Sequence, residues 1–391
     1  MTDIVILSGA RTAIGTFGGA LAGTPPIDLA TVVTKAALER AGVAGGQIGH
    51  VVFGHVINTE PRDMYLSRVA AMQAGIPEAT AAMNVNRLCG SGVQAIVSVV
   101  QNLMLGEADF GLAGGAENMS RSPYILPAAR WGQKMGDAGA NDMMLGALSC
   151  PFGTGHMGVT AENVAAEHDI SRAAQDGFAL ESQIRAAAAI AEGRFADQIT
   201  PVQVKVKRDL VDFDMDEHPK ATSLEKLAAL RTVFQKDGTV TAGNASGIND
   251  GAAAIVLARA CAAEAAGLKP RARVLGYAHA GVRPEVMGIG PVPAVEALLA
   301  RTGLSIPDFD VIESNEAFAA QALAVNKGLG LDAARVNPNG GAIALGHPVG
   351  ATGTIITIKA LYELERIGGS KALITMCIGG GQGIALAIER I

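Results

Sequence analysis

Short apolar runs alternate with amphipathic repeats in the first third of the chain. The apolar runs predict buried strands at 4–8, 50–54, 83–85 and 108–113. Repeats at the spacing of a helix predict helices at 29–40, 68–74 and 94–105. Asp28 is expected to cap the first helix and Gly42 to end it. This alternation is typical of right-handed crossovers, and we expect a sheet dominated by parallel pairs.

The last third of the chain repeats this order of elements. Strands are predicted at 273–277, 309–313, 371–376 and 384–389. The last two of these are expected to pair as a hairpin. Helices are predicted at 294–301, 317–329 and 354–364. Residues 50–55 correspond to 310–315, and Val85-Asn86 corresponds to Val336-Asn337. We therefore expect a duplicated α/β fold of five layers in the order αβαβα.

Residues 120–243 interrupt the alternation. They hold the only tryptophan, Trp131, and a run of charged residues between 205 and 217. Helical spacing is clear at 161–168 and 171–191, and Ser171 is expected to cap the second helix. We interpret this segment as an inserted, mostly helical and loop subdomain above the mouth of the functional site. The predicted parts are an N-terminal half of 1–119 completed by 244–268, the insert of 120–243 and a C-terminal half of 269–391.

Composition limits the class of protein. The chain has 391 residues, which is more than one hydrophobic core usually serves. A net charge of −6 and the lack of a Lys/Arg block argue against a nucleic-acid binder. Apolar runs of transmembrane length and a signal-peptide pattern are missing, so we expect no membrane association. Four cysteines without a Cys-x-x-Cys pair fit neither a disulfide scaffold nor a zinc site, and we predict a cytoplasmic location.

Two cysteines and one histidine each lie in a glycine-rich turn after a predicted strand. Cys89 lies in 86–92, His347 in 345–350 and Cys377 in 376–381. A nucleophilic cysteine must lose its proton, and the start of the helix after Cys89 would favour that. The free N–H groups there could also bind an oxyanion. The pattern suggests a covalent nucleophile, a histidine that activates it and a second cysteine for acid–base work.

Each of these residues also has a structural interpretation. Cysteine is among the most buried residue types, so the Cys89 turn alone equally fits a structural thiol. A histidine satisfied by a carbonyl is a common core residue, although the glycines around His347 allow a ligand to approach. Cys377 alone would be a buried thiol, although the amides of 379–383 could line an anion pocket.

Six blocks in order along the chain resemble those of the thiolase family, over essentially the whole length. They are residues 86–92, 114–120, 156–163, 241–246, 315–318 and 337–353 with 377–383. The resemblance implies the thiolase fold, a duplicated αβαβα arrangement with an inserted loop subdomain. It also favours the catalytic interpretation of all three turns.

The resemblance implies an acetyl-CoA C-acetyltransferase that needs no metal or other cofactor. His347 would deprotonate Cys89, which takes the acyl group from an acyl-CoA and releases CoA. Cys377 would then remove a proton from C2 of a second acetyl-CoA, and the carbanion would attack the acyl-cysteine to give acetoacetyl-CoA. Thiolysis of short 3-ketoacyl-CoA is the reverse path. Asn315 with His347, and the N–H groups of Cys89 and Gly379, would form two oxyanion holes.

The same resemblance implies the substrate contacts. The residues expected to bind the CoA thioester are His156, Met157, Lys220, Ser246, Met287 and Phe318. Lys220 would face the adenosine phosphates, but residues 220–226 depart from the family pattern, and a solvated charged face is the alternative. Residues 156–158 resemble short-chain enzymes. Residues 59–66 and 127–132 resemble bacterial β-ketothiolases that also accept five-carbon substrates.

Other functions remain open as alternatives. One is a 3-ketoacyl-CoA thiolase of broader chain length in degradative or polyhydroxyalkanoate metabolism, and another is a non-catalytic protein that binds CoA or lipid. A ketoacyl synthase or a hydroxymethylglutaryl-CoA synthase would use a second histidine or a glutamate as the further catalytic group, and neither replaces Cys377 in this chain. A dehydrogenase would need a GxGxxG turn after a strand. The family also implies dimers that assemble into a homotetramer.

Overall fold

Sixteen strands and twelve helices make up the chain in the computed structural model, which describes residues 3–391. The strands are β1 (Ile4–Arg11), β2 (Gly15–Thr16), β3 (Ile48–Gly54), β4 (Ala81–Val85), β5 (Phe110–Asn118), β6 (Tyr124–Ile125), β7 (Asn141–Asp142), β8 (Ser149–Cys150), β9 (Gly155–His156), β10 (Val202–Val206), β11 (Asp209–Phe213), β12 (Asn249–Arg259), β13 (Ala272–Gly281), β14 (Val311–Ser314), β15 (Lys371–Ile378) and β16 (Gln382–Arg390). The helices are α1 (Pro26–Ala41), α2 (Leu66–Gln73), α3 (Ser91–Met104), α4 (Met143–Ala147), α5 (Met157–Glu167), α6 (Arg172–Ala191), α7 (Leu224–Ala228), α8 (Ala260–Ala265), α9 (Pro291–Thr302), α10 (Ala319–Leu329), α11 (Ala342–Leu345) and α12 (Thr352–Ile367).

Every strand and helix predicted from the apolar pattern is present, with ends shifted by a few residues. Gly42 ends α1 in the left-handed conformation, and the Ser171 hydroxyl accepts the Ala174 N–H to cap α6, both as expected. The prediction for Asp28 is wrong, because α1 begins two residues earlier. Pro26 supplies a backbone angle suited to the first helical turn, which places Asp28 inside that turn.

The prediction of a mainly parallel sheet is also wrong. The main sheet has the order β14-β15-β16-β13-β1-β12-β5-β3-β4, with β2 beside β12. Only the pairs β14–β15, β3–β5 and β3–β4 are parallel. The reason is that β16 follows β15 through a tight turn, as the predicted hairpin, and β12 enters beside β5 in the opposite direction. Parallel pairs therefore occur only where a helix connects the strands.

The duplication is visible in the sheet order. Reading outward from the β1–β13 contact, β12, β5, β3 and β4 on one side correspond to β16, β15, β14 and an isolated bridge on the other. That bridge joins Val336 to Ile312 in parallel, as β4 joins β3. The register differs by two residues from the predicted correspondence of Val85 with Val336, because Ile312 pairs with Val336 whereas its counterpart Val52 pairs with Met83.

Three clusters of buried apolar side chains hold the helices against the strands. Helices α3 and α12 pack together in the middle layer, in one core cluster with side chains from both halves of the sheet. Helices α1 and α2 cover the outer face of the N-terminal half, and α9 covers that of the C-terminal half. This gives the five layers that the apolar pattern predicts.

Residues 120–243 form short two-stranded pairs and helices α4 to α7. A buried ion pair ties this segment to the sheet, because Arg11 donates two hydrogen bonds, of 2.8 and 2.9 Å, to Asp216. The bounds given above for the three parts of the chain remain predictions. Across residues 3–391, the structure contains no helix that is long and apolar enough to span a bilayer.

Candidate active site

A pocket of about 430 Å³ opens between residues of the 120–243 segment and the segments that follow β3, β4, β5, β14 and β15. Its lining is mostly apolar and includes every predicted site residue except Cys377 and Asn315. The predicted residues on its wall are Cys89, His156, Met157, Lys220, Ser246, Met287, Phe318, His347 and Gly379. The structure therefore brings together side chains that lie more than 250 residues apart in sequence.

The two middle helices place the Cys89 and His347 turns beside each other. Helices α3 and α12 touch where each has a glycine, at Gly92 in α3 and Gly353 in α12. A Cβ atom at Gly92 would lie 2.6 Å from the Thr354 backbone nitrogen, so no larger residue fits without moving a helix. The first turns of α3 and α12 therefore lie side by side, and the turns that precede them line one pocket.

The turn before Cys89 is held by side chains. Leu88 has a φ of 46°, a left-handed conformation that is strained for a residue with a side chain. Ser91 Oγ donates to the Leu88 carbonyl at 2.6 Å and accepts the Arg87 N–H at 2.9 Å. Asn86 Oδ1 accepts the Leu88 N–H at 2.9 Å. These contacts fix the position of the half-buried Cys89 thiol.

Cys89 is protonated at rest. Burial raises the pKa of its thiol to about 11, although the N–H groups of Gly379 and of Cys89 itself act in the opposite direction. The negative charge of Glu117 raises it further. The N–H groups therefore lower the pKa of the thiol as expected, but loss of hydration outweighs them and the net shift is upward. A base must remove the proton.

His347 lines the same pocket and carries a neutral imidazole. Burial lowers the pKa of its imidazole to about 4, so the ring is neutral and can accept a proton at neutral pH. Its Nδ1 lies 2.7 Å from Thr352 Oγ1, and its Nε2 lies 3.4 Å from Asn315 Nδ2. Its backbone N–H donates to Asn249 Oδ1 at 2.9 Å. Asn315 is thus beside His347, although it is buried and does not line the pocket.

Cys377 lies behind the pocket wall. It is fully buried near the end of β15, in an apolar cluster with Met157, Met287 and Phe318. Burial raises the pKa of its thiol well above the ordinary value, and the nearby Cys89 raises it further. This second thiol is therefore protonated at rest, and it lies close enough to Cys89 for their charges to interact.

Aromatic rings form one side of the pocket. His156 caps α5, because its Nδ1 accepts the Gly158 N–H at 3.0 Å, and its ring stacks on Phe234 at 4.7 Å. Phe234 in turn meets Phe318 edge to face at 6.2 Å. Burial lowers the pKa of His156, so this wall is neutral. The arrangement suits a narrow, apolar arm of a ligand.

The remaining predicted residues lie further out. The Ser246 N–H donates to the Ala317 carbonyl at 3.0 Å, which holds the loop before β12 against the pocket. Lys220 is exposed at the pocket rim, and its backbone N–H donates to Gln183 Oε1 at 2.9 Å.

Sequence reasoning missed three residues that organise the site: Glu117, Asn249 and Thr352. Glu117 is fully buried and accepts the N–H groups of Val56, Ile57 and Gly350 at 3.0–3.1 Å, which joins the loop after β3 to the His347 turn. The available signal was the charged side chain of Glu117 near the end of β5, whose preceding residues are apolar or glycine. Asn249 gave no local signal, because its partners Gly15 and His347 are remote in the chain. Thr352 lies in the matched block 337–353, five residues after His347, and that closeness was the available signal.

Among residues 3–391, no group of three or more His, Cys, Asp or Glu side chains is arranged to hold a metal ion.

Comparisons with known proteins identify the family. The model of the thiolase N-terminal domain matches residues 4–261, and that of the C-terminal domain matches residues 268–390. The beta-ketothiolase BktB of Cupriavidus necator is 61% identical over 391 residues, which cover 100% of this chain and 99% of that protein. The crystal structure of the Bacillus anthracis acetyl-CoA acetyltransferase covers 100% of this chain and 99% of its own, with a TM-score of 0.98 and 45% identity. Human mitochondrial 3-ketoacyl-CoA thiolase in complex with CoA covers 100% of this chain and 98% of its own, with a TM-score of 0.97 and 43% identity. With family models across both halves and a full-length relative at this identity, the chain belongs to the thiolase family.

Proposed function

We propose that this thiolase is an acetyl-CoA C-acetyltransferase, which condenses two acetyl-CoA to acetoacetyl-CoA and CoA and cleaves short 3-ketoacyl-CoA in reverse. The observation that carries the proposal is the pairing of two thiols with one neutral imidazole. Cys89 and His347 share the pocket, Cys377 lies behind it, and the Gly379 N–H points at the Cys89 sulfur. The names of the relatives support the same reaction class.

In the first half-reaction, His347 accepts the Cys89 proton and the sulfur attacks the thioester carbon of acetyl-CoA. The oxyanion that forms is stabilised by N–H groups at the sulfur, those of Cys89 and Gly379. The C–S bond to CoA then breaks and leaves an acetyl group on Cys89. Cys377 is protonated, so it can give its proton to the departing CoA thiolate.

In the second half-reaction, the Cys377 thiolate removes a proton from C2 of a second acetyl-CoA. Its raised pKa makes it a strong base once it is deprotonated. The carbanion attacks the acetyl-cysteine, forms the new C–C bond and releases the Cys89 thiolate, which recovers its proton from His347. Asn315 and His347 stabilise the enolate oxygen of the second substrate. All protons return to their starting positions, so the cycle needs no cofactor besides the CoA thioesters.

CoA binding is assigned to the pocket and its rim. The apolar wall of His156, Met157 and Phe318 suits the pantetheine arm, and Met287 lies beside Cys377 where the acyl group would end. Ser246 faces the same space. Lys220 is the cation on the pocket lining and would meet the nucleotide phosphates. The complex of human mitochondrial 3-ketoacyl-CoA thiolase with CoA supports a CoA thioester as the ligand.

Loss of each thiol tests the mechanism. We expect Cys89→Ala to abolish both thiolysis of acetoacetyl-CoA and acyl-enzyme formation, because no nucleophile remains. Cys377→Ala should still form the acetyl-enzyme but should fail to exchange deuterium into the methyl group of acetyl-CoA. Cys261→Ala is the matched control, since this cysteine is exposed on α8 and away from the pocket. The proposal is wrong if both pocket variants keep near wild-type thiolysis.

Broader chain length is the second candidate. The beta-ketothiolase relative is the observation that favours it. Met157, Met287 and Phe318 fill the space around Cys377, which favours short acyl groups. A series of 3-ketoacyl-CoA substrates from C4 to C10 decides between the two. We expect kcat/KM to fall steeply after C5, whereas equal values at C8 would establish the broader enzyme.

We also propose a homotetramer in the cytoplasm. Large apolar side chains are exposed on the insert, among them Trp131 and Met135, each 90% exposed. Strand β4 ends the sheet as an edge, and its Met83 side chain is 40% exposed. Both features suit interfaces with other copies. All four cysteines are free, which fits a reducing compartment. Sedimentation as a monomer would refute the tetramer.

A further inference from the structure

Thr352 contacts Nδ1 of His347, whereas the amide of Asn315 lies near Nε2, the other ring nitrogen. It is buried at the first position of α12, five residues after His347. Its Oγ1 lies 2.7 Å from His347 Nδ1 and 2.9 Å from the carbonyl oxygen of Pro348. One hydroxyl group therefore bridges the imidazole ring and the backbone of the turn that carries it.

The number of protons decides the direction of these two hydrogen bonds. A hydroxyl group has one proton to donate and two lone pairs that accept. A carbonyl oxygen can only accept, so the 2.9 Å contact with Pro348 is a hydrogen bond only when Thr352 donates its proton to it. The Pro348 carbonyl also accepts the backbone N–H groups of Ala351 and Thr352, so the other ring nitrogen supplies a second argument: Asn315 Nδ2 lies 3.4 Å from Nε2 and can donate only to a lone pair there. Oγ1 must then accept from the ring, which places a proton on Nδ1. A neutral imidazole has one N–H, so its Nε2 carries the lone pair.

We infer that Thr352 is a positioning residue that holds His347 in the tautomer protonated on Nδ1, with Nε2 free to take the proton of Cys89. The inference rests on the proposed function, in which His347 is the base. The opposite arrangement, with the hydroxyl donating to Nδ1, would put the proton on Nε2 and disable that base. It would also direct the Nε2 proton at Asn315 Nδ2, 3.4 Å away, which is a donor and cannot accept it, whereas the Pro348 carbonyl would keep its two backbone N–H donors.

A second contact limits how far the ring can move. The backbone N–H of His347 is held by Asn249 Oδ1 at 2.9 Å, and Asn249 Nδ2 donates to the Gly15 carbonyl at 2.9 Å. The backbone of His347 is therefore anchored to the N-terminal half, independently of Thr352. Loss of the Thr352 hydroxyl should thus change the orientation and tautomer of the ring more than the position of the turn.

Thr352→Val tests the inference, because valine keeps the shape of threonine and removes the acceptor. Losing one buried hydrogen bond to the base is expected to lower kcat by about tenfold to hundredfold. KM for acetoacetyl-CoA should stay within about twofold, because Thr352 is not on the pocket lining. Alkylation of Cys89 by iodoacetamide at neutral pH should slow by the same factor as kcat. Thr352→Ser keeps the hydroxyl and should restore most of both rates.

Thr357→Val is the matched control. Thr357 lies on the same helix, is fully buried and donates to the Gly353 carbonyl at 2.8 Å, but it does not touch His347. Its loss should cost similar stability and leave kcat and alkylation unchanged. If both valine variants lose activity equally and serine does not rescue, Thr352 has only a structural role and the inference is overturned.

Nitrogen-15 NMR of histidine-labelled enzyme, with His347→Asn to assign the signals, reports the tautomer directly. We expect an Nδ1 that carries a proton and an Nε2 that does not, and loss of that preference in Thr352→Val. The reverse pattern in the wild-type enzyme would overturn the inference while leaving Cys89 and His347 in their proposed roles. Failure of the proposed function itself is distinguishable, because the wild-type enzyme would then show no thiolysis and no acetyl-Cys89.

Discussion

Replacing Gly92 with alanine should move the Cys89 and His347 turns apart without removing any reactive side chain. A Cβ at this position would lie 2.6 Å from the Thr354 backbone nitrogen and 3.0 Å from that of Gly353. Ordinary contact begins at 3.4 Å, so α3 and α12 must move apart by about 0.8 Å at their N-termini. Thr354 Oγ1 would also lie 2.9 Å away, but the other two obstructing atoms belong to the backbone, and no side-chain rotation can relieve those contacts.

A shift of this size has two measurable effects. Displacement of reacting groups by about 1 Å can lower a rate about a hundredfold, so kcat for thiolysis of acetoacetyl-CoA should fall by about one to two orders of magnitude. Strain at a packed helix contact should lower the free energy of unfolding by about 1–3 kcal/mol. Steady-state kinetics and urea unfolding of the same samples measure both, and circular dichroism confirms that the variant is folded.

Gly177→Ala is the matched control for this variant. Gly177 lies inside α6, and a Cβ there would meet nothing within 4 Å. Alanine should therefore stabilise the helix by about 0.5–1 kcal/mol and leave kcat unchanged. If Gly92→Ala retains wild-type kcat and stability, the close contact of the two middle helices does not align the active site, and the reasoning is refuted.

Three further changes test other parts of the structure. Lys359→Met removes the cation that pairs with buried Glu313 at 2.9 Å, and urea unfolding should show a loss of about 3–5 kcal/mol; a loss below 1 kcal/mol would contradict this. Burial raises the pKa of Asp250 to about 6 from 3.8, so the folded state binds its proton more tightly and stability falls as pH rises from about 4 to 6. Asp250→Asn should lack that fall. An equal decrease in the free energy of unfolding of both proteins over this pH range would contradict the prediction. Lys220→Ala should raise KM for acetyl-CoA by about fivefold or less with little change in kcat, since an exposed ion contact contributes about 1 kcal/mol at most, while Lys226→Ala, off the pocket lining, should change neither; equal effects of the two lysines would contradict a specific phosphate contact.

Much of the fold follows from local patterns in the chain. Buried strands such as β5 and β15 are apolar on both faces, and α3 and α12 are too apolar to be exposed, so their places in the core could be predicted. The glycine-rich turns of Cys89, His347 and Cys377 were also recognisable, and the structure places all three at one location. Their chemical roles remain proposals.

The features that could not be predicted depend on contacts between remote segments. Strand direction depends on which strands become neighbours, and the apolar pattern of β12 is the same in either direction. The pKa of Cys89 depends on how much water the insert excludes, so burial outweighed the helix N-terminus. Glu117 accepts three backbone N–H groups from two loops far apart in the chain. No residue pattern in these loops indicates which remote segment each one contacts.

Trapping of the acyl-enzyme is the most direct test of the central claim that Cys89 is the covalent nucleophile. The wild-type enzyme is mixed with acetyl-CoA, quenched in acid, and measured by intact mass and by peptide mapping. We predict a mass gain of one acetyl group, located on the peptide with Cys89 and absent in Cys89→Ala. Acetylation on another residue, or turnover of acetoacetyl-CoA without any acetyl-enzyme, would contradict the account.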